Sequence, residues 1–328
     1  MLILLGVILS SILIWYSSEW ISQISDVIGR GWSKGVRGAT INAISSSLPE
    51  LFTAAFFLLA LEEVEGFLSG LSTMAGSAIY NALVIPGLMG IVSLWKLKKG
   101  LPEHDRGLVW RDGLWLIGCQ LVVLFFIRSG HIGWMESGAL LLLYGGYIAS
   151  LNRARKAHSI TVRALPRATK QKAYRNLAIN VTLVGAACFV LVECCVALGE
   201  QLGWSLAILG LLVAASATSV PDTLLSLRDA WRGQPDDGIS NALGSNIFDL
   251  CVALGLPVLI YSLTHSPIEL DSATVHSLTT IWLTMMALTI LAVGAMLSGK
   301  QLKGVQIGAM MAGYLTFLVL VITGLLPV

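Results

Sequence analysis

The residues best placed to do chemistry come in two matched sets. Ser47-Leu48-Pro49-Glu50 recurs 172 positions later as Ser219-Val220-Pro221-Asp222. Gly76-Ser77-Ala78-Ile79-Tyr80-Asn81 recurs 168 positions later as Gly244-Ser245-Asn246-Ile247-Phe248-Asp249. Each copy sets a carboxylate directly after a proline, inside an apolar segment. A proline within a helix has no N–H and crowds the carbonyl four residues back, here that of Ser45 or Ala217. In lipid such a carbonyl needs another partner, and a bound cation is one. Hydroxyls stand at helical spacing from the acids. Ser46 and Ser47 precede Glu50 by four and three positions, and Thr218 and Ser219 precede Asp222 in the same way. Ser77 with Asn81, and Ser245 with Asp249, form i, i+4 pairs.

No Lys, Arg or His stands among these residues. An ionised acid inside a membrane must be paired or must bind a cation, so the natural counter-charge is a metal ion. Every candidate ligand is a hard oxygen. That chemistry suits calcium, magnesium, sodium or potassium and not zinc or copper, and magnesium, which holds its water, fits such a cage poorly. Glu50 and Asp222 together balance one divalent ion, which leaves Asp249 for a monovalent one. Competing ions sharing one set of ligands is the arrangement an antiporter needs. Duplicated membrane segments, broken near an acid, point to a transporter's central site.

The elements that must position these groups are membrane helices. The chain has 328 residues, 55% hydrophobic and 12% charged, whereas soluble domains are about 25% charged. Spanning helices need apolar runs of roughly 17–25 residues. Ten are expected, near 2–17, 38–60, 66–94, 108–127, 132–151, 176–198, 204–228, 237–263, 273–298 and 304–326. The first lacks a basic n-region and a cleavage site and reads as a retained helix. With the N-terminus outside and the helices alternating, all 21 Lys and Arg except Arg128 fall on the inner side, as the positive-inside rule requires. The sequence thus predicts an all-α integral membrane protein of the plasma or inner membrane, with both termini outside.

The basic stretch from Arg153 to Arg175 divides the chain, with five expected helices on each side. An odd number per half forces the halves into opposite orientations, an inverted repeat. Residues 1–152 form the first five-helix repeat, 153–175 a cytoplasmic loop that contacts anionic lipid, and 176–328 the second repeat. Glu19 and Glu193, 174 positions apart, are expected to make structural polar contacts near opposite faces. Asp112 and Glu136 sit at helix ends and are expected to be wetted. Glu62, Glu63 and Glu65 form an acidic outer loop that is chiefly a solvated surface. The five cysteines all fall within expected helices and read as small packing residues without disulfides, and the five histidines are scattered.

At PELFT (49–53), GSAIYN (76–81), TSVPD (218–222) and GSNIFD (244–249) the chain resembles the cation/calcium exchanger superfamily, and within it the potassium-dependent sodium/calcium exchangers. The resemblance implies a calcium site on Glu50 and Asp222. It implies sodium ligands among Ser46, Ser47, Ser77, Thr218, Ser219 and Ser245, with backbone carbonyls near Ala43 and Ala215. Asp249 then serves potassium or sodium. An Asp at 222 fits the potassium-dependent branch. The chain departs from the family where Gly-Thr-Ser before the proline becomes Ser45-Ser46-Ser47 and Ala217-Thr218-Ser219. It departs again where a Gly-Asn pair becomes Ser72-Thr73. The expected activity is sodium/calcium antiport with potassium as a possible co-ion. The rival is proton/calcium exchange, in which protons neutralise the acids. An intramembrane aspartyl protease, a distant alternative, needs a Gly-x-Gly-Asp-like text that Gly244-Ser245-Asn246 does not supply. No enzyme activity, cofactor or nucleic-acid partner is expected. The expected partners are the transported cations and the bilayer, around a monomer or weak oligomer.

Overall fold

Apolar runs of this length must satisfy every backbone group internally, which in lipid means helices. The computed structural model describes residues 2–28, 40, 42–61, 63–97, 103–155 and 167–326. Of the residues singled out above, Arg30, Lys34, Arg37, Glu62, Lys98, Lys99, Lys156 and Arg163 lie outside them. The described chain is mostly helical, and its strands are one two-residue antiparallel pair among the described residues, β1 (His131–Ile132) with β2 (Ile268–Glu269).

The helices are α1 (Leu2–Ile28), α2 (Ala43–Ser46), α3 (Leu48–Ala60), α4 (Glu63–Leu97), α5 (Arg106–Ser129), α6 (Trp134–Arg155), α7 (Arg167–Leu202), α8 (Leu206–Leu209), α9 (Ala215–Thr218), α10 (Val220–Trp231), α11 (Pro235–Phe248), α12 (Gly255–Thr264), α13 (Ser272–Leu297) and α14 (Gly304–Ile322). Two π-helical segments, Gly210–Ala214 and Asp249–Ala253, join α8 to α9 and continue α11. Among the described residues, seven helices are long and apolar enough to cross a membrane, or eight if the bent pair Leu206–Thr218 and Val220–Trp231 is one span. The other two expected segments are also helical. Residues 38–60 hold the break between α2 and α3, which leaves Leu48–Leu59 as a shorter apolar helix. Of residues 132–151, all from Trp134 on lie in α6, whose glycines, tyrosines and polar C-terminal end dilute its apolar content.

Helices run further than hydropathy predicted. α1 continues through Ser17, Ser18 and Glu19, because Glu19 finds Arg228 Nη1 at 2.7 Å on α10 and both serines are buried. α6 and α7 extend to Arg155 and from Arg167, so the described ends of the 153–175 segment, 153–155 and 167–175, are helix. Lys and Arg are good helix formers.

The interior divides into two apolar clusters. One holds α1 against α7: Ile14 and Ile21 pack with Val184, Cys188, Leu191 and Cys195, and with Phe57 of α3. The other is built on α4, α5, α11, α13 and α14, around Met74, Ile79, Leu83, Leu243, Ile247, Trp282 and Met310. Where α4 meets the first π segment the backbones nearly touch. A Cβ on Gly210 would sit 2.6 Å from the Ser69 carbonyl oxygen, and one on Gly76 would overlap the Leu211 carbonyl. Small residues permit this approach in membranes. It brings Ser77, one residue beyond Gly76, into the middle of the fold.

Candidate functional site

Both proline motifs fold in the same local way. The helix does not kink at the proline. It stops two residues earlier, at Ser47 (φ −93°, ψ 7°) and at Ser219 (φ −78°, ψ −2°). A new helix then starts with the proline in its first turn, where a missing N–H costs nothing. The second pair is bent by 40° at this break. Across each break the serine amide still reaches back, Ser47 N to Ala43 O at 3.0 Å and Ser219 N to Ala215 O at 3.1 Å. The break sets Glu50 and Asp222 in the first turns of α3 and α10, where the positive end of the helix dipole favours a carboxylate.

The expected side chains converge. Glu50, Asp222, Asp249, Ser47, Ser77, Asn81, Thr218, Ser219 and Ser245 are 0% exposed, and Ser46 is 2% exposed. Ser77 Oγ is the hub. It lies 3.4 Å from Glu50 Oε1, 3.4 Å from Asp249 Oδ2 and 3.0 Å from Ser219 Oγ. Asn81 Nδ2 donates to Ser77 Oγ and to Asp222 Oδ2, both at 3.3 Å. Ser245 Oγ donates to Asp222 Oδ1 at 2.7 Å. α3, α4, α9, α10 and α11 with its π continuation therefore meet at one closed point. Asp249 opens the second π segment, where its carbonyl accepts Leu254 N five residues on at 2.9 Å. Single π turns of this kind recur at functional sites.

The carbonyls of Ala43 and Ala215 are less available than expected. Each accepts the serine amide across the break. Thr218 Oγ1 also donates to Ala215 O at 3.3 Å, whereas Ser46 Oγ, 3.3 Å from Ala43 O, is nearer to Asn42 O at 2.8 Å. A cation could take the Ala215 oxygen only if the Thr218 hydroxyl turned away. Elsewhere in the site, oxygens lack donors. Glu50 Oε2, Asp249 Oδ1, Asn81 Oδ1 and Ser47 Oγ are buried and meet no hydrogen-bond partner among the described residues. A buried acceptor without a donor is costly, and four together form a surface that suits a cation. Among the described residues no three acid, histidine or cysteine side chains converge closely enough to hold a metal by themselves. Hydroxyl and amide oxygens must complete any such site.

Two residues were not foreseen. Asn241, fully buried, donates from Nδ2 to Asp222 Oδ1 at 3.0 Å and to Ser226 Oγ at 3.2 Å, and its Oδ1 accepts Ser46 Oγ at 3.4 Å. Asn246 Nδ2 donates to the Ala78 carbonyl at 3.0 Å, the residue that holds its place in the other copy. The signal for Asn241 was present: it stands one turn before Ser245, opposite Thr73 in the first copy.

Two of the acids set aside behave differently from expectation. Asp112 is not wetted but 0% exposed. Arg111 grips it in two places at 2.7 and 2.9 Å, and Tyr147 Oη and Ser240 Oγ donate at 3.3 and 3.1 Å. The helix end it occupies is covered by α6 and α11, which hydropathy could not reveal. Glu193 is exposed on α7, whereas Glu19 has its structural contact with Arg228. Glu136 is half-buried and accepts Gly133 N at 2.9 Å, and Glu65 is exposed. The five cysteines are free thiols, four of them buried.

The profile of the sodium/calcium exchanger protein family matches residues 2–151 and 176–323. An uncharacterized membrane protein of Methanocaldococcus jannaschii is 28% identical over 286 residues, 84% of this chain and 89% of that protein. The inner membrane protein YrbG of Escherichia coli is 25% identical over 270 residues, 80% of each chain. Mouse sodium/potassium/calcium exchanger 2 is 37% identical over 95 residues, which is 28% of this chain but only 14% of the mouse protein. Among solved structures, an H+/Ca2+ exchanger, CAX, aligns with a TM-score of 0.78 at 17% identity over 98% of this chain and 82% of that one. The sodium-calcium exchanger NCX_Mj aligns with a TM-score of 0.61 at 23% identity, over 97% of this chain and 98% of the other. At these identities the two structures establish a shared fold and nothing finer.

Proposed function

Because this chain belongs to the sodium/calcium exchanger protein family, we propose that it is a sodium/calcium antiporter of the plasma or inner membrane. The observation that carries the reading is three fully buried carboxylates, Glu50, Asp222 and Asp249, ringed by hydroxyls and carboxamides, with oxygens that meet no donor among the described residues. Glu50 and Asp222 would neutralise one calcium ion. Ser46, Ser47, Ser77, Asn81, Thr218, Ser219 and Ser245 would supply oxygens to calcium or to the sodium ions that replace it, with the Ala43 and Ala215 carbonyls recruited as their hydroxyl donors turn. Asp249 would hold a monovalent co-ion. Exclusive occupancy is the physical logic. The same acids cannot be balanced by both ion sets at once, so the site changes sides only when suitably loaded.

The reading includes ten spans in two inverted five-helix repeats, 1–152 and 176–328, joined through the cytoplasmic basic stretch, with both termini outside and the chain a monomer or weak oligomer. What supports the repeat is the identical break at Ser47 and Ser219, and the bond from Asn246 to its own counterpart Ala78. Proton/calcium exchange is the second reading, favoured by the fold shared with a proton-coupled exchanger. Calcium uptake into vesicles carrying sodium, potassium or proton gradients one at a time decides between them. Uptake driven by sodium alone is expected. Uptake that follows only the proton gradient would replace this reading with the second.

A further inference from the structure

The two central acids occupy equivalent places in the sequence but unequal places in the structure. Asp222 is held by three side-chain donors: Asn241 at 3.0 Å and Ser245 at 2.7 Å on Oδ1, and Asn81 at 3.3 Å on Oδ2. Glu50 receives Ser77 at 3.4 Å on Oε1, and its Oε2 meets no partner among the described residues. The difference traces to two positions. Asp249, which stands in the second copy where Asn81 stands in the first, is an acid with no N–H to give to Glu50. Thr73, which stands where Asn241 stands in the second copy, turns its hydroxyl onto its own helix, to Ser69 O at 2.8 Å. It contributes nothing to Glu50. Asn241 instead reaches across the fold. Its amide nitrogen holds Asp222, and its oxygen lies 3.4 Å from Ser46 Oγ, whose one proton is shared with the nearer Asn42 carbonyl at 2.8 Å, so one buried side chain sets the acid of the second copy beside a hydroxyl of the first, 195 positions away.

The geometry points to Asn241 as the residue that determines how firmly the site grips its divalent ion. With both amide hydrogens engaged, on Asp222 at 3.0 Å and on Ser226 at 3.2 Å, it fixes Asp222 before an ion arrives. Asp222 is then the anchored carboxylate, and Glu50, with fewer restraints and one more methylene, adjusts to the ion that binds. Asn241 is a positioning residue, acting through Asp222. This assignment rests on the exchanger reading above and adds to it the division of labour between the two acids. Groups that orient ligating carboxylates typically contribute about 10–100-fold in metal affinity.

The test uses purified full-length protein in sodium-loaded liposomes, with calcium uptake measured against external calcium. Asn241→Thr installs the first copy's residue and removes the donor to Asp222. Its calcium KM is expected to rise by about 10–100-fold, with Vmax within about twofold of wild type. Asn241→Gln keeps the carboxamide on one more methylene and guards against misfolding of the first variant. Its calcium KM is expected to fall between those of wild type and Asn241→Thr, because the amide donor is retained but displaced. A wild-type calcium KM in Asn241→Thr, or a KM in Asn241→Gln as high as in Asn241→Thr, would overturn the assignment while leaving the exchanger reading intact. Absence of calcium uptake by the wild-type protein under every cation gradient would overturn both.

Discussion

Replacing Asp112 by Asn tests the least expected feature of the interior. The substitution keeps the volume and removes the charge. Asp112 accepts two bonds from Arg111 and one each from Tyr147 and Ser240. An amide keeps a single acceptor oxygen, so the two donors on the other position lose their partner and meet an NH2 group. Breaking a buried ion pair by removing one member costs about 3–5 kcal/mol when both charges are fully enclosed. Arg111 is not: its side chain is 24% exposed, and it can draw its head toward water along its apolar stem. The expected loss is therefore smaller, about 2–3 kcal/mol. At about 2 °C per kcal/mol for a chain of this size, the melting temperature in detergent should fall by about 5 °C. The four buried cysteines supply the assay, since a thiol-reactive dye reports their exposure on heating. Removing the stranded cation as well, in Arg111→Gln with Asp112→Asn, should cost little more than Asp112→Asn alone. A shift of less than about 1 °C for Asp112→Asn would mean that the acid is solvated and that the network contributes nothing to stability.

The remaining predictions concern the site and the topology. Glu50→Gln and Asp222→Asn should each abolish calcium uptake while eluting as folded protein, because one remaining charge under-neutralises a divalent ion in a closed site; near-normal flux in either would refute the central assignment. Asp249→Asn should weaken stimulation of calcium transport by potassium while retaining some sodium-driven exchange. Unchanged wild-type flux when choline replaces potassium would remove the potassium assignment. A cysteine placed at Ala164, in the basic stretch, should react only with reagents that cross the membrane, and labelling by an impermeant external reagent would invert the proposed orientation.

The sequence by itself determined the class of the protein and the identity of its acids. Lipid admits only internally bonded backbone, so composition alone was enough to predict helices, and the described part of each segment singled out from hydropathy is mainly helical. The break beside each proline was legible because the missing N–H acts within four residues. The convergence of Glu50, Asp222, Asp249, Ser77 and Asn81 was legible because the text occurs twice and a repeated text packs against its own counterpart. What only the tertiary structure decided is everything that depends on a neighbour distant in the chain. Hydropathy placed Asp112 at a wetted helix end, and Ser240, 128 positions on, covers it. α1 was expected to stop near residue 17, and Arg228 on α10 lets it continue past Glu19. Asp222 and Glu50 read as equals, yet the donors that separate them arrive from α4 and α11. Local sequence records whether a side chain prefers lipid, water or protein. It does not record which partner a buried polar group meets, and in a low-dielectric interior that partner sets its energy.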